Sequence, residues 1–211
     1  MSAFQSSISE KSSSQLKGAT VKYQGKIPLW SRIQLAGRLC ELSSIPRSAL
    51  LTAAFRLVLD AQMEGEPTAW IAATPGIFFP PDADANGVDL HALVVVRVPD
   101  NQAAACSADR LLRSGAFGLI VMDLNSNPTI SIALQARLAQ QARIHNTTIL
   151  CLTSKARNTP SLGSLVSLRG QTSCRRLGTN RFQVDIEFLK DKRHEPGWHH
   201  TEICCGPDGL H

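Results

Sequence analysis

The sequence predicts an α/β fold: a mostly parallel sheet flanked by helices and extended at its C-terminal end by an antiparallel β-meander. Three observations carry this. Short apolar runs at 38–42, 68–73, 93–98, 119–124 and 147–153 alternate with stretches of helical spacing, and strands separated by helices specify right-handed crossovers in a parallel sheet. Beyond Thr153 the helical stretches stop, and 162–168, 181–189 and 199–205 follow as strand candidates with no helix between them. Within 181–189, Phe182, Val184, Ile186 and Phe188 alternate with Arg181, Gln183, Asp185 and Glu187, the period of two of an antiparallel strand with one wet face.

Each element has its local reason. The first 15 residues are Ser-rich and poor in large apolar groups; they cannot bury enough surface to offset their ordering entropy. The expected organisation is a flexible segment at 1–26, a domain at 27–193, and a C-terminal strand and tail at 194–211. The stretch 46–62 carries Leu50, Leu51, Ala54, Phe55, Leu57, Val58 and Ala61, a broad apolar face of a helix. After 68–73, the run TPGIFFPPDADANG holds three prolines and two glycines, which argues against regular structure. The 93–98 run, LVVVRV, is continuously apolar and reads as a strand covered on both faces. Asp100 or Asn101 caps the next helix, whose buried side is Ala104, Ala105, Ala108, Leu111 and Leu112, and Gly115 stops it. Asn127-Pro128 opens a further helix that ends near His145.

Composition narrows the function classes. A chain of 211 residues, 43% hydrophobic and 18% charged, buries a sizeable core in one domain. No apolar run approaches the roughly 18 residues of a membrane span, and the N-terminus lacks the apolar core of a secretory signal. The expectation is a cytoplasmic protein with six free thiols. Lys+Arg exceed Asp+Glu by 22 to 17, a mild excess that admits a polyanion partner without requiring one. Most of that excess lies in the C-terminal quarter, at Arg169, Arg175, Arg176, Arg181, Lys190, Lys192 and Arg193.

Several local sequences then bear on family. They are Gly37-Arg38-Leu39-Cys40-Glu41-Leu42, Gly87-Val88-Asp89-Leu90-His91-Ala92-Leu93, Ser114 to Asp123 (SGAFGLIVMD), Asn146-Thr147-Thr148-Ile149, Val166-Ser167-Leu168 and Arg175-Arg176-Leu177. In this order they resemble segments of the RecA family across roughly residues 37–192: the strand feeding the phosphate loop, the approach to the next strand, the strand ending in the Walker B aspartate, the strand after it, and the paired strands beyond.

The departures from that family carry the functional expectation. A phosphate loop needs glycines so that backbone N–H groups approach phosphate oxygens, then a Lys for charge and a Ser/Thr for magnesium. In register, Ser44 and Ala49 stand where the glycines belong, Leu50 takes the lysine position, and Leu51 takes the magnesium-ligand position. Pro46 also removes a backbone donor. The resemblance implies a water-orienting Glu at the end of the 68–73 strand, where Thr74 stands, and a nucleotide-sensing Gln where Ser154 stands. Asp123 alone is retained, as a vestigial or structural residue. The two loops that hold DNA in the family look shortened, to about 125–129 and 155–161. The expectation is a chain that binds no nucleotide, needs no cofactor and hydrolyses nothing.

Other constellations have weaker patterns. His194, His199, His200, Cys204, Cys205 and His211 lack the CxxC or His-x3-5-His spacing of zinc modules, and on a strand Cys204 and Cys205 face opposite ways. Cys40, Cys106 and Cys151 read as core thiols, and His91 and His145 have no triad partners. Arg169, Arg175, Arg176 and Arg181 form either a solvated strand face or a contact for DNA or an acidic partner. Tyr23 is the single tyrosine, so base stacking is poorly provided for.

Among RecA relatives without a phosphate loop, the chain most resembles the ImuA group, damage-inducible accessory proteins of translesion synthesis. That resemblance implies RecA and the polymerase-like ImuB as partners, with self-association and weak DNA contact beside them. The alternatives are a SulA-type inhibitor of the tubulin-like division protein, an ATP-dependent recombinase and a DNA-binding module.

Overall fold

The computed structural model describes residues 29–44, 50–74, 76, 78–124 and 128–205. The segment 1–26 and residues 45–49, which include Pro46 and Ala49, lie outside them, as do 125–127 and 206–211.

Eight strands form one sheet: β1 (Leu39–Ser43), β2 (Thr68–Ala73), β3 (Leu93–Val98), β4 (Leu119–Asp123), β5 (Thr148–Thr153), β6 (Leu168–Gly178), β7 (Arg181–Asp191) and β8 (His199–Cys205). Their spatial order is β3-β2-β4-β5-β1-β6-β7-β8. All pairs from β3 to β6 are parallel, and β6-β7-β8 is an antiparallel meander. The mostly parallel, helix-flanked sheet with a trailing meander is the fold that the sequence predicts.

Among the described residues five α-helices complete the layers: α1 (Arg32–Leu35), α2 (Leu50–Met63), α3 (Pro80–Ala85), α4 (Asn101–Ser114) and α5 (Ile132–His145). Alternate strand residues explain the layering, because successive side chains of a strand point to opposite faces. Trp70, Ala72, Leu119, Val121, Leu150 and Leu152 pack with α2 on one face, and Ala69, Ile71, Ile120, Met122, Ile149 and Cys151 pack with α4 and α5 on the other. Asp100 caps α4 by accepting from the Ala103 N–H at 2.7 Å, and Gly115 ends it in the left-handed region at φ 67°. At Gly170 an added Cβ would lie 2.8 Å from Ile186 Cγ2 and 2.9 Å from Leu42 Cδ1, so only glycine lets α2's side of β6 close against β1 and β7.

Four sequence expectations are corrected. The proline-rich run contains α3, because Pro80 and Pro81 occupy the first helical turn, where no N–H has an intrahelical acceptor. The helix expected from Asn127-Pro128 begins at Ile132 instead, with Ser131 Oγ accepting from Leu134 N at 3.3 Å as its cap. Residues 162–167 are turn and loop, and β6 starts at Leu168. Finally, β3 is not covered on both faces: it is the sheet edge, with Val94 46% and Val95 39% exposed. Its apolar run matches that of a central strand, which is why hydropathy alone misplaces it.

Candidate functional site

In open α/β sheets, ligands bind outside the carboxyl ends of the strands, where the strand order reverses. Here that edge is made by Ser43-Ser44 after β1, Thr74 after β2, Asp123 closing β4, and Ser154 after β5. The registers Ser43 with Thr153, Asp123 with Leu152, and Asp123 with Ala72 set these ends side by side.

The edge is filled. Leu50, the first residue of α2, is 0% exposed and belongs to the core with Phe55, Trp70 and Phe78; Leu51 packs half-buried against the same core. Ser44 is buried, and its Oγ donates to Thr172 O at 3.3 Å. Thr74 spends both N–H (2.9 Å) and hydroxyl (3.1 Å) on Val98 O, extending the β2–β3 pair by one residue. Asp123 is 1% exposed, and Gly76 lies against it: a Cβ on Gly76 would lie 3.3 Å from Asp123 Oδ2 and 2.9 Å from Ala72 Cβ. Ser154 is half-buried at the start of the 154–163 loop.

Beneath that loop lies a buried polar network which sequence reasoning missed. The Glu41 carboxylate pairs with Lys155 Nζ at 2.9 Å, and its oxygens also accept from Thr153 Oγ1 at 2.9 Å and Leu162 N at 2.7 Å. Gln171 Nε2 donates to Lys155 O at 3.3 Å and its Oε1 accepts from Ser43 Oγ at 2.8 Å. The Lys155 ammonium is therefore a cation at the right edge of the sheet, but buried and neutralised by Glu41. No sequence signal joins Glu41 to Lys155, which meet only through the β1–β5 pairing.

The buried thiols of β1 and β5 are quiescent. Burial pushes Cys40 up to about 12, against the lowering pull of Arg38, and burial likewise raises Cys151 well above an ordinary thiol, with Glu41 adding to it. Cys204 is buried and Cys205 exposed on β8, on opposite faces as expected. Among the described residues no group of three or more His, Cys, Asp or Glu side chains could hold a metal ion. Nor is any helix there long and apolar enough to cross a membrane.

The comparisons bear on what this edge descends from. No protein-family model matches the chain. It is similar to RecA of Chlorobium chlorochromatii, 32% identical over 117 residues, covering 50% of this chain and 33% of that protein. RecA of Cutibacterium acnes is 35% identical over 117 residues with the same shares, and RecA of Fusobacterium nucleatum 36% identical over 87 residues, 41% of this chain and 23% of that one. The chain is a distant, partial relative of RecA. It spans a third or less of the length of these curated relatives.

The RecA-like sheet also sorts the basic residues. Arg169 is buried on β6, its guanidinium donating to Thr159 O and, at 3.1 Å, to Ala156 O. It therefore clamps the 154–163 loop from below and leaves the exposed set in which the sequence placed it. Arg175, Arg176 and Arg181 are exposed. Arg175 donates to Gln183 Oε1 at 2.9 Å, while Arg176 folds onto its own hairpin turn through Gly178 O at 2.9 Å and Thr179 O at 3.0 Å.

Proposed function

We propose that this chain is a non-catalytic, RecA-like adaptor of DNA-damage tolerance, joining RecA to an error-prone, ImuB-containing translesion polymerase complex. A RecA-related role in the response to DNA damage is the coarser reading that the similarity supports.

The observation that carries the non-catalytic part is Leu50. Where the RecA resemblance calls for an ammonium to neutralise nucleotide phosphates, an apolar side chain sits fully buried in the core. The nearby cation, Lys155, is already paired with Glu41. The described residues at this edge would leave a triphosphate's charge uncompensated, which costs far more than any hydrogen bond they could offer it. Asp123, covered by Gly76, offers no open carboxylate for magnesium.

The adaptor part rests on what the fold leaves open. Among the described residues, strand β3 presents an unpaired edge that carries the exposed Val94 and Val95, suited to self-association or to docking on RecA. At the far end of the sheet, the exposed Arg175, Arg176 and Arg181 give the tip of the β6–β7 hairpin a basic character for an acidic partner or a weak contact with DNA. Two measurements test the reading together. ATP titration should give no binding at micromolar concentration, and immobilised chain should retain RecA and ImuB at moderate salt. Micromolar ATP binding would sink the non-catalytic part. Retention of neither protein, with filamentous growth on overexpression, would replace the adaptor with a SulA-type division inhibitor.

A further inference from the structure

The opposite, amino-terminal edge of the sheet holds a feature that the proposed function does not use. A pocket of about 270 Å³ opens between Gly37–Leu39, the last turn of α5 and the residues that follow β7. Four cations line it, Arg38, Arg143, Lys192 and Arg193, and no carboxylate does. Gly37 brings two of them together: at φ 70°, a Cβ there would lie 3.5 Å from Arg143 Cα and 3.9 Å from Arg193 Nη2.

These charges differ in how far they are compensated. Arg38 is spent, because its guanidinium meets Asp191 Oδ1 at 2.5 Å in the interior. Lys192 donates to Ser164 O at 2.7 Å, and Arg193 to Gln34 O at 3.3 Å and Ala36 O at 3.1 Å. Those partners are neutral carbonyls, which fix the cations in position without cancelling them. Arg143 makes no ion pair or hydrogen bond among the described residues, so its five donors face the pocket and solvent. Three uncompensated positive charges thus converge on one small cavity. Nearby Lys190 registers the same field: burial and then the neighbouring Lys192 push its ammonium below the usual lysine value.

We propose that this pocket binds a terminal phosphoryl group, such as a phosphate monoester or pyrophosphate. Its size excludes a whole nucleoside, since sites that enclose drug-sized ligands run to about 300–1,000 Å³, and no aromatic side chain lines it for stacking. Its charge favours a compact multivalent anion over a lone carboxylate. The Arg143 fork suits bidentate contact with phosphate oxygens. One effect opposes binding: the C-terminus of α5 points its negative end here. That end is muted, because Ala142 O already accepts from the Asn146 and Thr147 N–H groups.

The test is independent of any partner protein, so its failure leaves the adaptor reading untouched. Calorimetric titration of the full chain with pyrophosphate at low salt should show saturable binding. Arg143→Gln should weaken it at least about tenfold, the size of a lost charge-assisted contact, while Arg110→Gln, an exposed arginine outside the lining, should not. Circular dichroism checks that both variants keep the fold. A 5′-phosphorylated oligonucleotide that outcompetes its 5′-hydroxyl twin would identify a strand end as the carrier; equal competition would leave the free anion as the ligand. No binding at millimolar pyrophosphate overturns the proposal. So does binding indifferent to Arg143→Gln, or capture of an acidic peptide without any pyrophosphate binding.

Discussion

Placing a lysine where the RecA resemblance calls for one, by Leu50→Lys, should unfold the protein rather than create an ATP site. Leu50 opens α2 and is 0% exposed among Phe55, Trp70 and Phe78. Removing it forfeits roughly 2 kcal/mol of apolar burial. The new ammonium must then deprotonate in the core or drag the helix start outward. A pKa depression of about 3 units, ordinary for a buried lysine, costs about 4 kcal/mol at neutral pH. The positive end of the helix adds about 0.5 kcal/mol. A loss of about 6–7 kcal/mol is expected, a large part of the total stability of a single domain. Urea unfolding followed by the fluorescence of buried Trp70 measures it, with Leu50→Met as a control that should lose less than about 1.5 kcal/mol. The ATP titration is repeated on each variant. If Leu50→Lys matched the parent in stability and bound ATP at micromolar concentration, side chain 50 would face an intact nucleotide cradle. The inference drawn from its burial would then be wrong.

Three further predictions rest on the buried polar contacts and the thiols. Burial works against the charge of Asp191, but hydrogen bonds from Arg193 N, Arg38 and His194 outweigh it and hold the carboxylate at about 2. Because that value is depressed, the stabilisation of roughly 2–3 kcal/mol is present above about pH 4 and lost as pH falls toward 2; in Asp191→Asn, acid titration of unfolding should lose this step. Lys155→Met should cost about 3 kcal/mol by leaving Glu41 charged and unpaired, whereas Lys155→Met with Glu41→Gln should cost clearly less than the sum of the singles. A double-mutant cycle in urea reads this, and simple additivity would show the pair to be uncoupled. Of the six cysteines, Cys40, Cys151 and Cys204 are buried, and Cys174, Cys205 and Cys106 are exposed, the last against the sequence expectation of a core thiol. A thiol reagent should modify three rapidly in the native protein and the rest only on unfolding.

The sequence told most about the central strands. Hydropathy placed β2 and β3 to the residue and β4 and β5 to within one, since an apolar run of five or six residues between helices has few other uses. It could not tell the edge from the centre, because Val94 and Val95 are as apolar as Ile120 and Val121. Nor could it separate Arg169 from Arg175: both are arginines on one strand, yet one is buried under a loop that returns from β5 and the other is exposed beyond the end of β1. At the candidate site, a leucine where the RecA resemblance calls for lysine was legible, but the Glu41–Lys155 pair was not. Contacts that cross 100 residues or more are set by strand order, and strand order leaves no local mark.

The Arg38–Asp191 contact has a consequence for how the chain is made. Arg38 belongs to the lead-in of β1, and its acidic counterpart emerges 153 residues later. Until β7 has been synthesised, the first strand of the sheet enters the core beside an arginine with nothing to balance it, and β6 has no antiparallel neighbour. The nascent protein must therefore hold its central strands in an unfinished state until β7 has left the ribosome. A premature stop anywhere before residue 191 should yield an aggregating fragment rather than a shorter working domain.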